Sequence, residues 1–196
     1  MNKFNFISIG IIFFIVTIFV GCKNSQNDEI IYFGIAQKPQ TLDPRFSSDA
    51  ASERLSSLIY TPLIFFNEDF TVGSNLVKIK KISSKRFSFT LTKNPPNFHN
   101  GAILGIDDII STIRHLMNSS ASPYSNELKI VSAVNKISVN IFEILLKKSD
   151  HNFLSKLSFS ILPKSHIESG HSFATQPIGS GPFEFISSKP NIQIRR

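Results

Sequence analysis

The residues able to do chemistry are five histidines, one cysteine and a serine set between two glycines. His99, His115, His151, His166 and His171 could each act as a base or a ligand. Their spacing gathers none of them into a site. His166 and His171 are five residues apart and fall on different faces of a helix. Gly179-Ser180-Gly181 is too short for a nucleophile elbow and lacks the pattern of a phosphate loop. A hydrolase would have bases and plentiful serines, but no motif links them, so no catalytic residue and no metal ligand is assigned. His99 sits in a turn, where a lone histidine more often makes a structural hydrogen bond. With Cys22 as its one cysteine, the chain can form neither an internal disulfide nor a cysteine-based metal cluster.

The position of Cys22 carries more information than its chemistry. Met1-Asn2-Lys3 is a short positive start, and residues 6–20 are almost wholly apolar. That run is short for a membrane span, which needs roughly 20 residues, and fits the core of a signal peptide. It ends in Phe19-Val20-Gly21-Cys22, which resembles a bacterial lipobox despite Phe19 and Val20. The resemblance implies cleavage after Gly21 and acylation of Cys22, and more than one acyl chain anchors stably. The other reading is an uncleaved anchor. Residues 1–21 are thus expected to be a lipoprotein signal peptide and residues 22–29 a polar tether.

The formal charge is +7, with the basic residues dispersed along the chain apart from Lys78-Ile79-Lys80-Lys81 and Arg195-Arg196. No basic stripe interleaved with aromatics is present, so nucleic acid is not expected as a partner. A solvated surface is the first reading of this charge, and attraction to an anionic membrane the second.

The elements that must position any site are legible from periodicity. Residues 30–35 form an apolar run of strand length. Ser47, Ser48 or Asp49 can cap a helix over 50–60, with Ala51, Leu55, Leu58 and Ile59 on its buried face. Residues 63–66 and 76–79 read as strands, and residues 87–92 alternate with period two, as a sheet with one buried and one wet face requires. Pro95 and Pro96 stop that strand, and Asn100-Gly101 supplies a turn. Gly105 can cap a helix over 106–117, with Asp108 reaching back to it. Ile106, Ile109, Ile110, Ile113 and Met117 share one face of that helix. Residues 118–124 read as a loop, and Asp150 as the cap of a helix over 152–157. The two glycines of Gly179-Ser180-Gly181 allow a backbone crossing that a Cβ would obstruct.

Several of these stretches together resemble one family. Phe98-His99-Asn100-Gly101 followed by Leu104-Gly105-Ile106-Asp107-Asp108-Ile109 is similar to a segment of the family 5 extracellular solute-binding proteins, the peptide and nickel receptors of ABC importers. Leu42-Asp43-Pro44, Leu58 to Leu63, Ala121-Ser122-Pro123-Tyr124 and Pro177 to Phe185 follow the family's order. The resemblance spans residues 30–196 and implies an α/β chain: the N-terminal lobe of a two-lobed, type II periplasmic-binding-protein-like fold. That lobe would have a mixed sheet with flanking helices and a small α+β subdomain. It implies a lipid-anchored binding component of a peptide importer, or its N-terminal fragment, facing the periplasm or cell exterior. Such a protein has no enzyme activity and no cofactor, and its partners are short peptides, permease subunits and the membrane. The alternative is an envelope lipoprotein with no transport role. By position, Tyr124, Ser48, Asp49 and Ala50 would touch the ligand. The plain readings of the same residues are an exposed loop tyrosine and helix capping.

Overall fold

Residue Gly105 begins the helix that most of the fold packs around. In the computed structural model, which describes residues 34–35, 37–188 and 191–196, the Gly105 amide donates to Asp108 Oδ2 at 2.8 Å. Helix α2 (Ile106–Asn118), the second helix of the described residues, follows, and the sheet is built on it. Asp107 and Asp108 lie at the positive end of its dipole and His115 near the other. Ile106, Ile109, Ile110, Ile113 and Leu116 form the buried face. Leu116 takes the place expected for Met117, which is only half-buried, because the helix advances about 100° per residue.

Helix α2 packs against a four-stranded antiparallel sheet. Its strands are β3 (Val77–Ser83), β4 (Arg86–Leu91), β5 (Val131–Lys136) and β6 (Ile141–Leu146), in the order β3-β4-β6-β5. The alternation read in residues 87–92 is present: Phe87 and Phe89 are buried while Ser88 and Thr90 face outward. Phe89 stacks on Phe142 of β6 with centroids 4.7 Å apart, and Phe87 meets Phe153 at 5.0 Å. Strand β3 runs four residues further than expected, through a stretch of lysines, because β4 supplies partners up to Ser83.

Helix α1 (Ala50–Ile59) lies before the sheet, and the short hairpin of β1 (Phe65–Phe66) and β2 (Val72–Gly73) connects the two. Residues 63 and 64 are buried but lie outside the hairpin; the Leu63 amide donates to Phe159 O. Helix α3 (Tyr124–Leu128) replaces the end of an expected loop, and a single 3₁₀ turn (Phe153–Leu157) replaces an expected α-helix. Helix α4 (Lys164–Glu168) and the hairpin of β7 (Glu184–Ser187) and β8 (Gln193–Arg195) complete the described residues. Every strand pairing among them is antiparallel, so the expected mixed sheet is not seen among the described residues: the main-sheet neighbours β3–β4 and β5–β6 are joined by short turns, which pair strands antiparallel. A second, smaller core of Ile59, Tyr60, Leu162 and Phe173 lies beneath this end, with Phe185 and Ile194 against it.

The glycine crossing joins the two ends of the chain. Gly179 and Gly181 run against the end of α1, where an added Cβ would overlap the carbonyls of Ile59 and Leu58. The Gly181 amide donates to Ile59 O at 2.8 Å and Phe183 to Leu58 O at 3.0 Å. His99 fastens the same crossing: its amide donates to Gly179 O at 2.8 Å and its Nε2 to Gly181 O at 3.0 Å. A carbonyl can only accept, so Nε2 carries the proton. His99 is thus a structural tie. The expected leader, Cys22, the tether and most of the first strand lie outside the described residues. Among the described residues no helix is long and apolar enough to cross a membrane.

Candidate functional site

The loop of residues 41–49 carries two of the predicted contact residues, Ser48 and Asp49, and a buried polar network shapes it. The Asp43 amide donates to Thr41 Oγ1 at 3.0 Å, and Asp43 Oδ1 accepts the Arg45 amide at 3.1 Å. These side-chain-to-backbone bonds define the turn. The Arg45 guanidinium returns to the same carboxylate, with Nη2 2.6 Å from Asp43 Oδ2 and Nε 2.9 Å from Oδ1. Both side chains are nearly buried, at 12% and 6% exposure, so neither charge is left to water. Arg45 Nη1 lies 3.0 Å from His115 Nε2 on α2. Guanidinium has no lone pair, so Nε2 accepts and the His115 proton is on Nδ1. Burial first, and the Arg45 cation second, hold the His115 imidazole below its ordinary pKa. The Arg45 guanidinium also lies over the rings of Phe46 and Phe173, at 5.3 and 5.0 Å.

The loop is tied equally firmly to α1. Tyr60 Oη donates to Leu42 O at 3.1 Å, and burial pushes that phenol well above its usual pKa. The Thr41 amide donates to Ser52 Oγ at 3.1 Å, and Ser47 and Ser56 share a hydrogen bond at 3.3 Å.

These bonds place Ser48, Asp49 and Ala50, three of the four predicted contact residues. Asp49 is the N-cap of α1, accepting from the Ala51 and Ser52 amides at 3.1 and 2.9 Å and from the Ser52 hydroxyl. The Ser52 bonds hold its carboxyl below the usual range. The capping reading is therefore met in full at Asp49. Ser48 and Ala50, on either side, are exposed. Tyr124 begins α3, half-buried, with its ring edge-on to Phe159 at 5.8 Å. Its phenol is pushed up to about 12, by burial first and then by the carboxylates of Glu53 and Glu127. Glu53 belongs to the first turn of α1, so its field joins the end of α1 to Tyr124. Tyr124 is therefore no free loop residue; its ring is anchored in the core, and its hydroxyl makes no hydrogen bond among the described residues.

Two surface depressions lie elsewhere. One, of about 350 Å³, is lined by Asp107, Ser111, Arg114, His115 and Lys164 between α2 and α4. The other, of about 630 Å³, is lined by Glu127, Lys129, Lys147, Lys148 and Lys156 at one end of the sheet. Neither contains Ser48, Asp49, Ala50 or Tyr124. No group of three metal-ligating side chains occurs among the described residues. In sequence His115 stands only among five unassigned histidines and Arg45 is missed; the local trace of the pair is Asp43 two residues before Arg45, since His115 lies 70 residues away.

No protein-family model matches the chain. Known proteins nevertheless align with it. A binding protein of Brucella melitensis is 29% identical over 147 residues, covering 70% of this chain and 24% of its own length. The oligopeptide-binding protein AppA of Bacillus subtilis is 27% identical over 187 residues, covering 88% of this chain and 34% of its own. The solved structure of that AppA, in complex with a nonapeptide, superposes with a TM-score of 0.68 at 24% identity over 80% of this chain and 34% of AppA. AgaA of Agrobacterium tumefaciens R10, in complex with agropinic acid, superposes with a TM-score of 0.73 at 18% identity, over 81% of this chain and 34% of its own. The chain therefore spans about a quarter to a third of the length of these relatives. The structural neighbours are type II periplasmic binding proteins, so the lobe expected from the motifs is the fold observed.

Proposed function

With family 5 solute-binding proteins as the homologues and structural neighbours of this chain, we propose that it forms the first lobe of the peptide-binding component of an ABC importer. The chain works outside the cytoplasm, held to a membrane by acylated Cys22. In this reading residues 1–21 are the signal peptide, 22–29 the tether and 30–196 the lobe. Its partners are short peptides and the permease subunits.

The likeness to AppA, which was solved with a nonapeptide in place, carries this reading. The site geometry supports it. An extended peptide needs a flat apolar contact and hydrogen-bonding groups beside it. Tyr124 offers a ring anchored on Phe159 and a phenol free to donate. Ser48, on the loop held by the Asp43–Arg45–His115 network, and Ala50, in the first turn of α1, are exposed. A rigid loop loses little entropy on binding.

Calorimetric titration of the chain with a nonapeptide tests the proposal. Binding on the order of micromolar is expected, a value typical of a specific but incomplete site. A folded chain that binds no peptide at millimolar concentration would return the reading to an envelope lipoprotein without a transport role. Acylation is tested separately, by incorporation of labelled fatty acid that Cys22→Ser abolishes.

A further inference from the structure

The cations that are dispersed in sequence are collected by the sheet register at one end of the four-stranded sheet, with Lys78 and Lys80 further along its edge strand β3. Segments 78–86, 126–130 and 143–156 carry nine lysines and arginines against three carboxylates, while the remaining described residues carry nine of each. The excess charge of the described residues therefore lies on these three segments. They are contiguous. Arg86 pairs with Leu145 across β4 and β6, the Leu146 amide donates to Lys85 O at 2.8 Å, and the Lys147 amide donates to Ile130 O at 2.9 Å. Two of the three carboxylates are already used, Glu143 by Arg86 and Asp150 by Lys156. Lys78, Lys80, Lys81, Lys85 and Lys148 have no ionic partner among the described residues.

We propose that this end of the sheet is a docking surface for anionic phospholipid. Three features fit lipid better than other polyanions. Eight of the nine cations are lysines, compact point charges suited to a diffuse layer of headgroups, whereas discrete carboxylate or phosphate recognition favours the arginine fork. Phe153, the one Phe, Tyr or Trp in these segments, is fully buried, which leaves His151 as the single exposed ring and no row of aromatics on which successive bases could stack. Ile82, 46% exposed at the end of β3 and flanked by Lys81 and Lys85, offers an apolar side chain at the level where headgroups meet acyl chains. The surface goes beyond peptide binding and does not depend on it. It would orient the lobe on the bilayer whether or not Cys22 is acylated.

Vesicle flotation of the full chain tests this. The apolar leader partitions into any bilayer, so the readout is the gain on adding anionic lipid. Vesicles of phosphatidylcholine with roughly 30% phosphatidylglycerol should bind on the order of tenfold more tightly than phosphatidylcholine alone at low salt. The gain should shrink at high salt, as the Debye length contracts. The quadruple variant Lys80→Gln, Lys81→Gln, Lys85→Gln, Lys148→Gln should lose most of it. The charge-matched variant Lys38→Gln, Lys93→Gln, Lys164→Gln, Arg196→Gln should keep most of it. No gain with phosphatidylglycerol, or equal losses in the two variants, overturns the proposal. Tighter binding of a single-stranded oligonucleotide than of the anionic vesicles overturns it too, assigning the surface to nucleic acid.

Discussion

Around the four-stranded sheet, Phe89 and Phe142 stack with no polar atom between them, whereas around residues 41–60 the packing is built from hydrogen bonds and an ion pair. Of the eight buried polar residues among those described, Asp43, Ser47, Ser52 and Ser56 fall in this short stretch. The sheet side is stabilised by removing apolar surface from water, at about 25 cal/mol per Å². That force is strong but non-directional. The loop side gains less per contact, since a typical internal hydrogen bond contributes about 1 kcal/mol net. It gains direction instead, and direction is what a contact surface for a ligand needs. The predicted contact residues lie on or beside the second region.

Substitutions can break this contrast, beginning with the most damaging. Phe89→Ala in the sheet core should cost about 3–5 kcal/mol in urea unfolding, through lost transfer energy and the cavity left behind. Arg45→Ala should cost about 3 kcal/mol, because Asp43 would be left buried and unpaired. A double replacement of Asp43 and Arg45 by apolar residues should be milder than Arg45→Ala alone, whereas no partner change rescues Phe89→Ala. A milder Arg45→Ala than double variant would show that the pair is not what holds the loop. Ser52→Ala should cost about 1 kcal/mol, since it removes the acceptor of the Thr41 amide.

Acid should sharpen the contrast with the smallest effect. The folded His115 imidazole is held below its ordinary value of 6.5, so the unfolded chain takes up this proton first as pH falls. Its contribution is complete above that value and is lost as pH falls below it, down through the depressed folded pKa. Melting temperature should therefore drop between pH 7.5 and 5.5. His115→Gln, whose amide oxygen can still accept from Arg45, should flatten that part of the profile. An unchanged profile would show that His115 does not carry it.

The sheet side was the more legible from sequence. The alternation in β4 and the isoleucine spacing of α2 are strong periodic signals, and both elements formed where expected. The Phe98–Gly101 turn and the glycine crossing were each readable, but not the His99 bonds that join them across 82 residues. Helix α3 was hidden, because Ser122-Pro123-Tyr124 has the composition of a loop. Pro123 is compatible with a helix start at its φ of −60°, and buried Leu128 holds the single turn in place. On the loop side, Asp49 was legible as a cap, since capping is local. The Arg45–His115 contact was not, because the fold alone brings the two residues together. The basic surface was unreadable for the same reason: strand register, not sequence proximity, assembles it.

The proposed division between a scaffold and a contact region is tested most directly by hydrogen–deuterium exchange of the chain with and without saturating nonapeptide. Added protection is expected in segments 41–53 and 122–128, with little change in the already buried strand β6. Protection confined to β6 or to the basic end of the sheet, or none at all despite measurable binding, would contradict the account.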